Sequence, residues 1–241
     1  MSRAKSFPGL PDPLKPAMDR SGRVVHTLPA LPYKHFVLEP CIDTGTMHLH
    51  HDIYHATSVK RLNDALAEYP ELQTLSVEEL LLDANRIPEG TRVAVRSHAG
   101  AHLNHSLFWR IMGPANGATG CGTLLAAIDH SFGSFDGFRR QFVEAGVNHV
   151  GSGWVWLALS ATRNLQIITT TNHENPIQVG LYPIMGNDLW EHAYFLRYQN
   201  RRAEYLERWW KVVNWPEVSR RFIQFLDRLQ TPAALGVHLV P

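Results

Sequence analysis

The sequence WVWLALSATRNLQIITTT, residues 154–171, decides the fold class. Aromatic, β-branched and leucine side chains fill Trp154–Leu159, and a second run rich in isoleucine and threonine covers Leu165–Thr171. Arg163-Asn164 lies between the two runs and suits a turn, so the stretch predicts an antiparallel β-hairpin. A third strand is predicted near Gly180–Met185.

Helical patterns lie on both sides of this hairpin. Apolar side chains recur at helical spacing in seven further segments, at residues 43–69, from Ser76 onward, and at 92–112, 121–130, 134–148, 188–210 and 216–229. The break Gly-Pro-Ala-Asn-Gly at 113–117 separates a helical first half from a mixed second half. Strands bracketed by helices and joined by short antiparallel connections predict an α+β fold.

Composition and charge exclude several classes of protein. The 241 residues include 23 basic and 22 acidic side chains, which leaves a net charge of +1 and no basic stripe for nucleic acid. No apolar run approaches the roughly 20 residues that span a bilayer. Two cysteines cannot make a disulfide framework, and residues 1–27 lack the apolar centre of a secretory signal. We therefore expect a cytoplasmic protein without a nucleic-acid or membrane partner.

Fourteen histidines are many for a chain of this length and point to a bound metal. Asp188 and His192 stand four residues apart, so a helix would place them on one face. A carboxylate oxygen and an imidazole nitrogen are both good ligands for first-row metals. For this pair alone, an ion pair at the surface is the alternative.

Two other predicted helices carry a histidine on a face that is otherwise apolar or aromatic. His50, Tyr54 and Ser58 follow one another at helical spacing along the first long helix, and His105 shares a face with Trp109 on the next. Because a buried imidazole needs a partner, a core histidine bonded to a carbonyl is the alternative for either one. Three helices that each offer an imidazole together favour a metal site.

Five short strings extend this interpretation to most of the chain. They are LPALPY at 28–33, TMHLHH at 46–51, NHSLFW at 104–109, GSGWVW at 151–156 and DLWEHAY at 188–194. In order and spacing they resemble the iron/manganese superoxide dismutases, and the resemblance runs from about Leu28 to Phe222. The last string is highly specific to that family.

The resemblance implies an N-terminal domain built as a long helical hairpin and a C-terminal α/β domain with a small three-stranded antiparallel sheet. We therefore expect a poorly ordered or surface-bound extension at 1–27, the hairpin domain at 28–114, the second domain at 118–230 and a tail at 231–241. The same resemblance implies one iron or manganese ion per subunit, which would convert superoxide to dioxygen and hydrogen peroxide, in a homodimer or a tetramer.

The family pattern also assigns roles to individual residues. It implies that the ion is held by His50, His105, Asp188 and His192. Its further assignments are an aromatic wall of Trp154, Trp156 and Trp190, and Glu191 as a carboxylate that reaches the partner subunit's metal-binding histidine. For any one tryptophan the alternative is core packing, and for Glu191 it is an exposed surface position.

The chain departs from the family pattern where protons and substrate would pass. Family members usually carry a histidine and a tyrosine at the positions of Tyr54 and Ser58, and a tyrosine at Phe195. The glutamine that usually lies beside the metal's solvent ligand is replaced by Ala101 or by His173, depending on the family member compared. His173 is therefore the candidate donor, and iron versus manganese stays open.

Arg201 matches the arginine that guards the substrate funnel in the family. The alternative for Arg201 is a solvated charge on a helix.

Other functions compete with dismutation. A relative that binds metal but has altered or lost dismutase activity fits the departures from the family pattern. A non-haem iron oxygenase would use two histidines and one carboxylate, fewer ligands than this sequence offers. A purely structural module is the remaining alternative.

Overall fold

The computed structural model of the protein describes residues 14–20, 22–114 and 122–230. Helices and strands follow in the order β1 (Ala17–Met18), β2 (Val24–Val25), α1 (Thr44–Met47), a π-helix (His48–His55), α2 (Ala56–Leu66), α3 (Pro70–Gln73), α4 (Val77–Leu82), α5 (Glu89–Arg110), α6 (Gly122–Phe132), α7 (Phe135–Asn148), β3 (Gly153–Leu159), β4 (Leu165–Thr171), β5 (Tyr182–Asp188), α8 (Phe195–Tyr198), α9 (Arg202–Trp209) and α10 (Trp215–Gln230). Short 3-10 helices lie at His35–Leu38, Ala84–Arg86, Pro176–Val179, Glu191–Ala193 and Trp210–Val212. The predicted α+β fold class is confirmed.

The first domain is a pair of long helices packed along their lengths. The helix begins at Asp43, whose carboxylate accepts the backbone N–H of Thr46, and continues through the π-helix into α2. α2 packs against α5, and their apolar faces form a small core that includes Leu62, Leu66 and Val95. A capping box opens α4, with Ser76 as its N-cap and Glu79 as its second partner.

The second domain is built around a sheet with the strand order β4-β3-β5, antiparallel throughout. The predicted hairpin and third strand are therefore present, and Trp154 pairs with Asp188 in the ladder. All seven residues of β3 are buried, because helices cover both of its faces. The larger core lies here and continues to the C-terminal half of α5, which packs against β5.

The described part of the N-terminal extension is packed against the first domain. β1 and β2 form a two-stranded antiparallel ladder, and the chain then joins α2 through His26 and Asn63. The amide side chain of Asn63 accepts from the His26 N–H at 2.8 Å and donates to the His26 carbonyl at 2.9 Å. Residues 14–20 and 22–27 of the extension therefore lie along the first domain, whereas 1–13 and the predicted tail at 231–241 lie outside the described residues.

None of the helices in the described ranges is both long enough and apolar enough to cross a membrane.

Candidate metal centre

Four side chains from four different segments converge between the domains. His50 comes from the π-helix, His105 from α5, Asp188 from the end of β5 and His192 from the 3-10 helix that follows. The Nε2 atoms of the three histidines lie 3.0, 3.5 and 3.3 Å from Asp188 Oδ2, in the same order. Ligand atoms about 2.1 Å from one ion and about 90 to 120° apart are separated by about 3.0 to 3.6 Å, so the four atoms fit a single metal.

Electrostatics also favours a cation between these four atoms. All four are buried and lack a hydrogen-bond partner among the described residues. His105 Nδ1 donates to the Ala101 carbonyl at 2.6 Å, which leaves the lone pair of the neutral ring on Nε2. Burial, with the neighbouring His192, lowers the pKa of His50 to about 3, so this imidazole is also neutral at physiological pH.

The carboxylate completes the argument. The Asp188 side chain is fully buried, and its Oδ2 lies 3.0 to 3.5 Å from the Nε2 atoms of the three histidines. A buried carboxylate and imidazole lone pairs therefore face one another at contact distance. A buried charge without a counter-ion is strongly unfavourable, and a bound cation removes that cost. The residues present fit one redox metal with three nitrogen ligands and one oxygen ligand.

The π-helix changes which side chains share a face with His50. The sequence predicted a stripe of His50, Tyr54 and Ser58 at α-helical spacing, and this prediction is wrong. The chain widens over His48–His55, and the first N–H after this segment donates to the carbonyl five residues earlier. His50 and His55 consequently point into the protein, while Tyr54 is 47% exposed.

Tyr54 nevertheless reaches the metal site from its solvent side. Its ring stacks on His192 with centroids 4.5 Å apart and an angle of 18° between planes. Trp190 packs on His192 as well, at 5.5 Å and 26°. Ser58 lies one turn further along α2, and its hydroxyl donates to the Tyr54 carbonyl at 3.1 Å. A hydrogen bond therefore links Ser58 and Tyr54, two of the positions at which the chain departs from the family pattern.

Asp188 and His192 do not share one helix, because Asp188 ends β5 and His192 lies in the short 3-10 helix that follows, which corrects the prediction of a continuous helix over 188–210. Asp188 is the last residue of β5, and its Oδ1 accepts the backbone N–H of Trp190 at 2.9 Å. This side-chain turn ends the strand, because an aspartate competes well for nearby backbone donors. A 3-10 turn then brings His192 back beside Asp188.

His173 lies at the edge of the centre, as its candidate role requires. Its ring is 5.5 Å from His105 and stacks on Trp190 at 4.5 Å and 9°, and its buried Nδ1 has no hydrogen-bond partner among the described residues. Asn104 Nδ2 donates to the His173 carbonyl at 3.2 Å. A side chain at Gly100 would overlap that carbonyl, so a glycine lets α5 approach this loop.

Aromatic rings close the centre on the protein side. Trp154 packs edge-on against His105 at 5.3 Å, and Trp156 stacks behind Trp154 at 5.2 Å. Trp109, which was predicted on the His105 face but not as part of the aromatic wall, packs edge-on against His50 at 4.8 Å. Its position four residues after His105, one helical turn away, was the available signal.

Two family models match the chain over both domains. The alpha-hairpin domain of the iron/manganese superoxide dismutases matches residues 25–113, and the C-terminal domain of the same family matches residues 120–221. The chain belongs to the iron/manganese superoxide dismutase family. The resemblance seen in the sequence is confirmed, and the protein is an oxidoreductase.

Several curated proteins are similar to this chain over most of their length. Manganese superoxide dismutase 3 of Leptolyngbya boryana is 55% identical over 195 residues, which cover 81% of this chain and 82% of that protein. The manganese superoxide dismutase of Listeria monocytogenes is 45% identical over 199 residues, or 83% and 98% of the two chains. That of Pseudomonas putida is 44% identical over 201 residues, again 83% and 98%.

A second layer of histidines, which was not predicted from the sequence, lies behind the metal centre. Trp109 Nε1 donates to His55 Nδ1 at 3.0 Å, so His55 carries its hydrogen on Nε2 and donates to His102 Nδ1 at 2.8 Å. The His55 ring stacks on His105 at 5.2 Å. Burial lowers the pKa of His102 to about 3 and holds the pKa of His55 well below its usual value, so both rings are neutral. The dense histidine spacing in the sequence was the only signal.

Glu191 and Arg201, the other two residues to which the family pattern assigns a role, lie at the surface. Glu191 is exposed beside His192. Arg201 is exposed, and its Nε donates to Glu204 at 2.8 Å rather than to any of the four candidate ligands. The next residue, Arg202, instead donates to the Tyr194 hydroxyl at 3.1 Å and to backbone carbonyls of the segment between α7 and β3. The structure therefore does not bring Arg201 to the candidate site.

Proposed function

We propose that the chain disproportionates superoxide to dioxygen and hydrogen peroxide at one manganese or iron ion held by His50, His105, Asp188 and His192. The observation that carries this proposal is the convergence of four buried ligand atoms that lack other partners. A bound ion of this kind supplies one-electron chemistry, since it can take an electron from one superoxide and give an electron to another. The names of the relatives favour manganese.

The protein's contribution begins with fixed ligand orientation. The Ala101 carbonyl holds His105 in the tautomer that presents Nε2, and the backbone N–H of Trp190 holds the Asp188 carboxylate. Such outer contacts set both the direction and the basicity of metal ligands. Trp109 and Trp154 exclude water from the protein side, so the ion's charge is weakly screened.

Access and proton supply are assigned to the solvent side. We propose that Tyr54, stacked on His192 and half exposed, lines the entrance that a small anion uses. His173 is the proposed hydrogen-bond donor near the ion, since its Nδ1 is buried without a partner among the described residues. Ser58 is too short to take the place of the usual tyrosine directly, so proton supply is rerouted through water or through the Tyr54 hydroxyl.

We also propose that the active form is a homodimer. Phe195 and Leu196 are 48% and 57% exposed, large values for apolar side chains, and Glu191 is exposed beside His192. A second copy that covered this surface would bury the apolar side chains and bring each Glu191 close to the other subunit's centre. A pairing of two dimers into a tetramer, and a cytoplasmic location, stay predictions from the sequence.

Superoxide decay after rapid mixing or pulse radiolysis tests the proposed function. The chain is freed of metal and then loaded separately with manganese, iron or zinc, and the metal content of each sample is measured by mass spectrometry. We expect manganese-loaded or iron-loaded protein to accelerate the decay, and zinc-loaded protein to be inactive because zinc has no redox step. Size-exclusion chromatography with light scattering measures the proposed dimer.

Ligand variants test the assignment of the site. His105→Ala should lose bound metal, whereas His130→Ala, which removes an exposed imidazole, should keep it. Full metal occupancy in His105→Ala would refute the ligand set. Negligible decay rates with both manganese and iron in a fully loaded, folded wild type would instead identify a metal-binding family member that has lost dismutation.

A further inference from the structure

A second group of metal-ligand side chains lies outside the redox centre. His35, His48 and Asp52 each offer one ligand atom, and these atoms all lie within 4.8 Å of one another. His35 Nε2 is 3.1 Å and His48 Nδ1 is 2.9 Å from Asp52 Oδ2. These two separations resemble those between the Asp188 carboxylate and its imidazoles. We call these three residues the outer cluster.

The outer cluster belongs to the opposite face of the π-helix from His50. The side chains of His48 and Asp52 are 57% and 41% exposed, whereas that of His50 is 1% exposed. His35 comes from the 3-10 helix that precedes α1. The outer cluster therefore shares no side chain with the redox centre and opens directly to solvent.

The carboxylate of the outer cluster is held in place by a fourth residue. His51 Nδ1 contacts Asp52 Oδ1 at 2.6 Å, and His51 Nε2 contacts the Pro29 carbonyl at 2.9 Å. Asp52 Oδ2 is thereby turned toward His35 and His48. Outer contacts of this kind orient ligands in known metal sites.

The imidazoles are arranged as a pair. The rings of His35 and His48 stack with centroids 3.9 Å apart and planes 18° from parallel. Stacking brings both edges to the same carboxylate, so a nitrogen from each ring lies close to Asp52 Oδ2. Two imidazoles and one carboxylate suit zinc and similar divalent transition ions, with water completing the coordination at an exposed site.

We propose that His35, His48 and Asp52 bind a divalent ion of the zinc class, separately from the redox metal. The ion would link the 3-10 helix at His35–Leu38 to the π-helix that carries His50. Without an ion, the same side chains are joined by hydrogen bonds, so the fold does not require the metal. The inference does not depend on dismutase activity.

Equilibrium dialysis of the manganese-loaded protein against zinc tests the inference. Zinc and manganese per chain are both measured, because zinc could also displace manganese from the inner site. We expect wild type to take up one further zinc per chain while keeping its manganese. His35→Asn and His48→Asn should each weaken that uptake by at least about tenfold. His130→Asn is the matched control, since it removes an exposed histidine elsewhere.

Each other outcome overturns the inference. Zinc uptake that is equal in wild type, His35→Asn and His48→Asn places the ion elsewhere. Zinc that enters only as manganese leaves belongs to the inner site, and no uptake at all shows that the outer cluster is held by hydrogen bonds alone. A failure of the proposed redox function would appear in the decay assay instead, so the two results are distinguishable.

Discussion

Replacing His26 by leucine should make the protein more resistant to acid. His26 is 3% exposed, and neither of its ring nitrogens has a hydrogen-bond partner among the described residues. Burial lowers its pKa from 6.5 to about 4. Only its backbone groups bond to Asn63, and a leucine keeps those bonds. The imidazole is thus a buried ionisable group that the fold holds neutral.

The magnitude follows from proton linkage. An unfolded chain binds a proton at this residue near pH 6.5, whereas the folded protein does so only near pH 4. The free energy of unfolding is therefore unaffected by this residue above pH 6.5 and decreases as the pH falls from 6.5 toward 4. Each pH unit in that window removes about 1.4 kcal/mol, so a change from pH 7.5 to 5.0 removes about 2 kcal/mol.

Urea-induced unfolding of metal-loaded protein at pH 7.5, 6.0 and 5.0 measures this effect. The acid-dependent loss should be about 2 kcal/mol smaller in His26→Leu than in wild type. Loss of stability through the metal centre is common to both proteins and cancels in the comparison. His130→Leu is the control for removal of an exposed histidine. Parallel pH curves for wild type and His26→Leu would refute the reasoning.

Three further substitutions test the surroundings of the centre. Gly100→Ala should destabilise the fold by about 1 to 3 kcal/mol and slow superoxide decay, because the added methyl group would move the loop that α5 approaches. Gly90→Ala in the same helix meets open space and should be close to neutral. Equal effects of the two substitutions would contradict this account. Trp109→Phe leaves a buried acceptor on His55 unpaired and should cost about 1 to 3 kcal/mol in urea unfolding, with an unchanged midpoint as the opposing result. Ser58→Tyr should keep the metal and change the rate of superoxide decay, and loss of metal from that variant would argue against its surface position.

Local signals in the sequence predicted the main elements well. The hairpin at 154–171 and the helices predicted from Ser76 onward and at 134–148 all correspond to observed structure. Each depends on neighbouring residues, through turn chemistry, side-chain capping or alternation of apolar side chains. Such interactions are strong enough to act before tertiary packing is considered.

The errors arose where tertiary contacts override local periodicity. A regular period of 3.6 residues placed Tyr54 beside His50, but the chain adopts the wider helix that buries His55 between Trp109 and His102. The four-residue spacing of Asp188 and His192 predicted a helix, whereas Asp188 ends a strand. The buried Asp188 side chain contacts histidines from other segments of the chain, and such contacts cannot be predicted from local sequence.

The candidate ligands show the same division. His50 and Asp188 are far apart in sequence, so no spacing rule could bring them together. The short strings shared with the family did so, and the structure then placed the side chains within contact distance. Arg201 shows the limit of that approach, because its neighbour Arg202 is the residue that packs against the domain.

The π-helix restricts how this chain can vary in length. Loss of one residue from His48–His55 would let the segment relax to an ordinary α-helix and rotate everything before it by about 100° relative to α2. Either His50 would then leave the metal site, or Val59 and Leu62 would leave the core. Insertions and deletions in related chains should therefore accumulate in turns such as 160–164, while this helix keeps a constant number of residues.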